Sequence, residues 1–301
     1  MAAEGLGKRA LITGLSGFTG RYVEQALAAA GYEVYGTVTP GQAPGERQFA
    51  VDLLDRAGLA EVVRQVQPDV VAHLAAIAFV AHGDVEQIYR VNVVGTRNLL
   101  EALAGLARKP SAVLLASSAN IYGNTDVGVI HEEVPAAPAN DYAVSKLSME
   151  YMARLWQDKL PLMIVRPFNY TGVGQHENFL LPKIVSHFRR KAADIELGNL
   201  HVWRDFSDVR MVAASYRKLL AAPAAIGGTF NICSGSAYSL GEALDMMADI
   251  AGYKINVHVN PAFVRANEVV RLVGDNRRLV AASGPLDTVP LADTLRWMYS
   301  A

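Results

Sequence analysis

Tyr142 and Lys146 stand four residues apart in YAVSK, an interval that sets two side chains on one face of a helix. A phenol beside an ammonium is a proton-transfer pair, because the cation favours tyrosinate and draws the phenol below its ordinary pKa of about 10. The spacing by itself fits a solvated helix face equally well. Context is supplied by Ser118 in SSANIYG, about two dozen residues earlier and at the end of a predicted strand. Its hydroxyl can hydrogen-bond the oxygen that exchanges a proton with Tyr142 while a hydride passes at the adjacent carbon.

Hydride transfer needs a carrier, and TGLSGFTG offers a place for one. Gly14, Gly17 and Gly20 fall between the apolar run Arg9 to Thr13 and a predicted helix from Tyr22 to Ala30 closed by Gly31. Backbone amides at such a helix N-terminus can hold a pyrophosphate. The spacing is Gly-x-x-Gly-x-x-Gly, and a turn with only a packing role has the same composition. The second strand ends Thr37-Val38-Thr39 with no carboxylate to repel a 2′-phosphate. NADPH is therefore the preferred expectation and NADH the alternative, although no arginine stands beside the strand end to attract the phosphate unless Arg47 folds back. Asp52, after a short third strand, can accept from the adenine amino group or stand as a surface carboxylate.

The elements that position these groups alternate. Glu33 to Val38 reads as a strand, Ala57 to Gln67 as a helix, and Val70 to Ala75 as a buried strand. The strands Ala112 to Ser117 and Leu162 to Arg166 are separated by long helical segments, Val85 to Leu106 before the first and Tyr142 to Asp158 between the two. This order predicts a doubly wound parallel sheet with helices on both faces. Beyond Pro167 the periodicity is irregular. The expected division is a dinucleotide-binding domain over 1–166, with a segment near 205–233 returning to it, and a smaller α+β substrate domain over 167–301.

Composition removes other classes. The 301 residues carry a net charge of -1, with 19% charged and 51% hydrophobic residues, so no basic field invites nucleic acid. Cys233 is the single cysteine, which excludes an intrachain disulfide and a cysteine-based zinc site. No metal is expected. MAAEGLGKRA lacks the apolar core of a signal peptide, and no apolar run approaches the roughly 20 residues of a spanning helix. A cytoplasmic protein with no membrane partner is the expectation.

TGLSGFTG, HLAA at His73 to Ala76, NVVGT at Asn92 to Thr96, SSANIYG and YAVSK together resemble the extended short-chain dehydrogenase/reductase family over nearly the whole chain. The resemblance implies a Rossmann-type fold and cofactor contacts at Gly14, Ser16, Gly17, Phe18, Thr19, Gly20, Asp52, Leu53, Leu74, Ala75, Ala76, Tyr142, Lys146 and Pro167. It places Asn92 on a long helix beneath the active site. His73 reads as a core histidine without a catalytic role. The resemblance also implies a homodimer, formed by the two long helices across a two-fold axis.

Within that family, RPFNYTGVGQHENFLLPKIV, ELGNLHVWRDFSDV, FNICSG and FVRANEV resemble the GDP-6-deoxy-4-keto-sugar reductases. This implies that Asn169, Asn178, Arg204 and Arg265 surround a diphosphate and that Glu268 meets the ribose hydroxyls. Lys183 and the segment from Leu197 to Asn199 are placed near the base, and Asn120 contacts the substrate. Forked arginine donors suit phosphate chemically. Dehydratase relatives carry a Glu where this chain has Asn120, and an amide cannot exchange protons in the accessible pH range. Fucose-synthase relatives need a Cys and a His; SSANIYG has no Cys, and Leu180 and Leu181 occupy the region of the His. The expected reaction is thus reduction of a C4 ketone without epimerisation, most specifically GDP-4-keto-6-deoxy-D-mannose to GDP-D-rhamnose. A talose or heptose product, a nucleotide-sugar 4-epimerase with bound NAD, a dehydratase-like enzyme and a non-catalytic dinucleotide sensor are the alternatives.

Overall fold

A computed structural model describes residues 4–78, 84–125, 127–263 and 271–301. The first part of the chain runs β1 (Arg9–Thr13), α1 (Phe18–Ala29), β2 (Glu33–Val38), β3 (Gln48–Ala50), α2 (Arg56–Val66), β4 (Val70–His73), α3 (Val85–Tyr89), a π-helical stretch (Arg90–Gly95), α4 (Thr96–Gly105) and β5 (Ala112–Ala116). There follow β6 (Val129–Ile130), α5 (Asp141–Arg154), β7 (Leu162–Pro167), β8 (Asn169–Thr171), α6 (Leu180–Arg189), β9 (Asp194–Leu197), β10 (Trp203–Asp208), α7 (Val209–Leu220) and β11 (Thr229–Ile232). The chain ends with β12 (Ala237–Ser239), α8 (Leu240–Ala251), β13 (Asn256–Val259), β14 (Arg271–Gly274), α9 (Arg277–Ser283) and α10 (Leu291–Ser300).

Seven strands form one parallel sheet in the order β11-β7-β5-β4-β1-β2-β3. Its strands are short apolar runs because side chains alternate between two buried faces. Leu11, Val71, Val113 and Leu115 meet Leu59, Val63, Leu99, Leu103 and Met149 on one face. Ile12, Ala72, Leu114 and Val165 meet Val23, Leu27, Val212, Tyr216 and Leu279 on the other. Burying each Val, Leu or Ile side chain in these layers contributes about 1.5–3 kcal/mol. The strand order reverses between β1 and β4, and the carboxyl ends of strands at such a reversal open a ligand crevice.

A smaller sheet is ordered β12-β10-β14-β6, with β8 on β10. Leu181, Ile184, Phe188, Phe206, Leu244, Met247, Leu295 and Met298 form its separate core with α6, α8 and α10. After β10 the chain returns: α7 covers the large sheet and β11 pairs with β7.

Several expected boundaries differ. Helix α1 begins at Phe18, a turn before Tyr22, because Gly17 is extended at the N-cap and Gly20 is already helical. A Cβ at Gly20 would collide with the Gly14 and Leu15 carbonyl oxygens, so the residue that weakens helix propensity is the one that lets the helix lie on the turn. The segment from Val85 is not one regular α-helix, since Arg90–Gly95 widens into a π turn. Helix α5 ends at Arg154, short of Asp158. Among the described residues no helix is long and apolar enough to cross a membrane.

Candidate active site

Helix α5 starts beside the carboxyl end of β5. Its N-cap, Asn140, accepts from the Ala143 amide through Oδ1 at 2.9 Å, a contact that fixes the first turn. Tyr142 and Lys146 therefore project from successive turns into the sheet, and both are buried. Lys146 Nζ donates to the Ala116 carbonyl at 2.8 Å and stands 6.0 Å from the Tyr142 ring centre. Ser118, just past β5, is buried beside them, and its Oγ accepts from the backbone N and the Nδ2 of Asn120, each at 3.1 Å.

Burial dominates the electrostatics of these side chains. Burial pushes the Tyr142 phenol up to about 12, opposed by hydrogen bonding from Ser118. Burial also brings Lys146 down to about 8, opposed by Glu150. Desolvation of the phenolate outweighs the hydrogen bond from Ser118, and the Lys146 ammonium turns to a carbonyl. Tyr142 holds its proton, the state required of a donor in ketone reduction.

A polar chain underlies this site. Asn92, at the π turn, donates through Nδ2 to Ser145 Oγ at 3.0 Å and to the Ile77 carbonyl at 3.1 Å, and accepts from the Ile77 amide at 2.9 Å. Ser145 donates to the Tyr142 carbonyl at 2.7 Å. Thr96 Oγ1 donates to the Asn92 carbonyl at 2.7 Å, so its contact with His73 Nε2 at 2.8 Å makes that nitrogen the donor. His73 Nδ1 then accepts from Thr13 Oγ1 at 2.6 Å, and burial takes the imidazole pKa down to about 3. His73 is a neutral core residue. Glu150, one turn beyond Lys146, accepts from Ser117 Oγ at 2.5 Å and from the Arg166 fork at 3.0 and 2.7 Å.

The glycine turn fits a pyrophosphate. Helix α1 has no side-chain cap and no acid in its first turn, leaving its amides free of a side-chain acceptor. Gly14 adopts φ +73, and a Cβ there would lie 2.9 Å from the Ala75 backbone, so the turn rests directly on the segment after β4. Leu74, Ala75 and Ala76 follow β4, and the Leu74 and Ala75 amides both donate to Thr13 Oγ1 at 3.2 Å. Leu53 is buried and its carbonyl accepts from Asn98 Nδ2 at 3.0 Å, whereas Asp52 is exposed and accepts from the Leu54 amide at 2.9 Å. Pro167 closes β7 beside Ile232.

Two partners of the turn escaped the sequence reading. Tyr170 hydrogen-bonds Thr19 Oγ1 through its hydroxyl at 2.7 Å and stacks on Phe18 with ring centres 6.0 Å apart. Ser16 donates to Gln42 Oε1 at 2.8 Å. Arg47 does not fold toward the end of β2; it lies 3.6 Å from Glu33 at that strand's beginning and 3.8 Å from Glu46. Two carboxylates there outweigh any pull toward Thr39.

The substrate-side residues are more dispersed. Asn169 opens β8, two residues after β7 ends, and Arg204 lies on the adjoining β10, where Nη1 donates to the Trp203 carbonyl at 2.9 Å. Lys183 donates to the Glu196 carbonyl at 2.8 Å and sits 4.7 Å over the Phe263 ring. Asn199 accepts from the His201 amide at 3.0 Å, and the exposed Asn178 precedes α6 with its amide on His176 Nδ1 at 3.1 Å. Leu197 is buried in the small core, and its carbonyl accepts from the Asn260 amide at 2.8 Å. Arg265 and Glu268 lie outside the described residues.

A parallel sheet with a glycine turn at its switch point, and a Ser-Tyr-Lys set at the end of β5, define a Rossmann-type oxidoreductase of the short-chain dehydrogenase/reductase class. A family model described as GDP-mannose 4,6 dehydratase matches residues 11–284, and the chain belongs to that family. It is 34% identical over 306 residues to GDP-6-deoxy-D-mannose reductase of Pseudomonas aeruginosa, covering 97% of this chain and 96% of the relative. It is 33% identical over 275 residues to GDP-6-deoxy-D-talose 4-dehydrogenase of Aggregatibacter actinomycetemcomitans, covering 91% and 90%. A crystal structure from Burkholderia cenocepacia J2315, of a protein described only provisionally as an epimerase, is similar with TM-score 0.94 and 55% identity over 98% of each chain. The structure of RMD from Pseudomonas aeruginosa complexed with NADPH is similar with TM-score 0.85 and 31% identity, over 97% of this chain and 98% of that one.

Proposed function

We propose that the protein reduces the C4 ketone of a GDP-linked 6-deoxy-4-keto sugar, with GDP-4-keto-6-deoxy-D-mannose as substrate and GDP-D-rhamnose as product. The observation that carries the reading is the buried, protonated Tyr142 beside Ser118 at the mouth of a dinucleotide crevice. Its cofactor is a nicotinamide dinucleotide, as in the NADPH complex of the Pseudomonas structure. NADPH is the preferred form, since Thr39 leaves no carboxylate at the end of β2.

When bound, the dinucleotide supplies a hydride to C4. Ser118 donates a hydrogen bond to the ketone oxygen, and Tyr142 transfers its proton to that oxygen as negative charge develops there. One carbon–hydrogen and one oxygen–hydrogen bond form as the carbonyl π bond is lost. Lys146 keeps its ammonium below the phenol on the Ala116 carbonyl. Asn169 and Arg204, with Arg265, hold the diphosphate, and Lys183 and Asn199 meet the base. Asn120 supplies no carboxyl group, which disfavours 4,6-dehydration.

The C4 configuration of the product follows from how the sugar is rotated in the site, and the talose dehydrogenase relative favours the talose epimer as the second product. The description of the Burkholderia structure as an epimerase favours epimerisation as the second reaction. A panel of nucleotide 4-keto sugars with NADPH and NADH, with products identified by mass and NMR, separates these readings. Stoichiometric oxidation of NADPH by a GDP-4-keto sugar is expected. Tightly held NAD with no net cofactor consumption during interconversion of C4 epimers would replace reduction by epimerisation.

A further inference from the structure

We propose that Asn120 is a positioning residue that makes Ser118 an obligate hydrogen-bond donor toward the reacting oxygen; the inference rests on the reductase reading above. A serine hydroxyl has two acceptor lone pairs and one hydrogen. Here both lone pairs are taken by a single residue, through the Asn120 backbone N and Nδ2, each at 3.1 Å from Ser118 Oγ. The one remaining hydrogen must leave in another direction, toward the phenol side of the cleft.

The turn that carries Asn120 is rigid. Ser118 caps the short 3₁₀ turn Ala119–Tyr122, whose residues Ala119, Ile121 and Tyr122 are buried. The Gly123 amide donates to the Asn120 carbonyl at 3.0 Å, and the Ala137 amide to the Ile121 carbonyl at 2.9 Å. Gly123 has φ +61, and a Cβ there would collide with the Ala137 carbonyl oxygen. Asn120 is thus held in place while remaining exposed itself. A hydroxyl set only to donate stabilises negative charge growing on the ketone oxygen and cannot take the proton of Tyr142, leaving the phenol as the sole proton source.

An aspartate at 120 has nearly the same shape and the opposite polarity: it would accept from Ser118 and turn the hydroxyl hydrogen away. The experiment compares wild type, Asn120→Asp, Ser118→Ala and the double variant. It measures kcat and KM for the GDP-4-keto sugar, Kd for NADPH, and the 13Cζ shift of Tyr142, assigned by its absence in Tyr142→Phe. Asn120→Asp should lower kcat on the order of 30-fold, part of the roughly 100- to 1,000-fold associated with losing one oxyanion donor, with KM and Kd within a few-fold. The Tyr142 shift should move too, and both effects should vanish in the Ser118→Ala background. A kcat within about 3-fold of wild type overturns the proposal, and so do effects that persist without Ser118. If no keto sugar is reduced, the reductase reading fails by itself, and the Tyr142 shift across the same four proteins still decides the polarity of Ser118.

Discussion

At Tyr142, burial and the Ser118 hydroxyl pull in opposite directions, and the outcome assigns the roles. A phenol pushed up to about 12 stays protonated through the physiological range, so it gives a proton readily only to an oxygen that is becoming an alkoxide. Tyr142→Phe removes that proton and little else. It is expected to lower keto-sugar reduction by about 100- to 10,000-fold while NADPH binding, read by fluorescence titration, stays within a few-fold. A solvent isotope effect on the wild type establishes that chemistry is being read and not product release. A variant within a few-fold of wild type under those conditions assigns the proton to another group. Ser118, Tyr142 and Lys146 were legible because residue type, four-residue spacing and a strand end coincide. Tyr170 and Gln42 were not. Thr19 and Tyr170 are separated by 151 residues and Ser16 and Gln42 by 26, and no local pattern encodes a contact between two hydroxyls or between a hydroxyl and an amide across such a gap.

The elements show what periodicity reads well and badly. The central strands β4, β5 and β7 of the large sheet are apolar runs and declare themselves; β6, with 2 residues, and β3, β8 and β12, with 3 each, are too short to carry a period. The π turn at Arg90–Gly95 is also invisible, because one widened turn leaves the apolar pattern of its neighbours almost unchanged. Yet that turn carries Asn92, which ties β4 through Thr96 and His73 to the first turn of α5 through Ser145. His73 makes the tie sensitive to pH. Its folded pKa of about 3 lies below the ordinary 6.5, so between these values the unfolded chain binds a proton that the folded protein does not. Stability contributed by neutral His73 is present above 6.5 and is lost as pH falls toward 3, at about 1.4 kcal/mol per pH unit. From pH 7 to pH 5 the wild type should lose about 2 kcal/mol more stability in urea titrations than His73→Gln. Equal losses, or an imidazole seen by NMR to titrate above pH 5, would contradict this role.

On the scale of the whole molecule, α5 serves two purposes. Its N-terminal turns carry Tyr142 and Lys146 against β5, and its C-terminal end presents apolar groups to solvent: Tyr151 is 59% and Leu155 80% exposed. These two are four apart and share a face. Val94, on the neighbouring π turn, is 46% exposed. Scattered exposed apolar residues are ordinary on a monomer, but Tyr151 and Leu155 on one face, the latter nearly bare, give a patch that a second copy of the chain can cover across a two-fold axis. Such a dimer would brace the outer end of the helix whose inner end holds the proton donor. Light scattering at micromolar concentration should therefore give twice the chain mass of 32.4 kDa. Leu155→Glu places a charge at the centre of the patch, where burial without a partner is costly, and should return the mass to that of one chain. Helical circular dichroism should be unchanged, because Leu155 makes no core contact. A monomeric wild type, or a Leu155→Glu variant that stays dimeric, rules out this face as the interface.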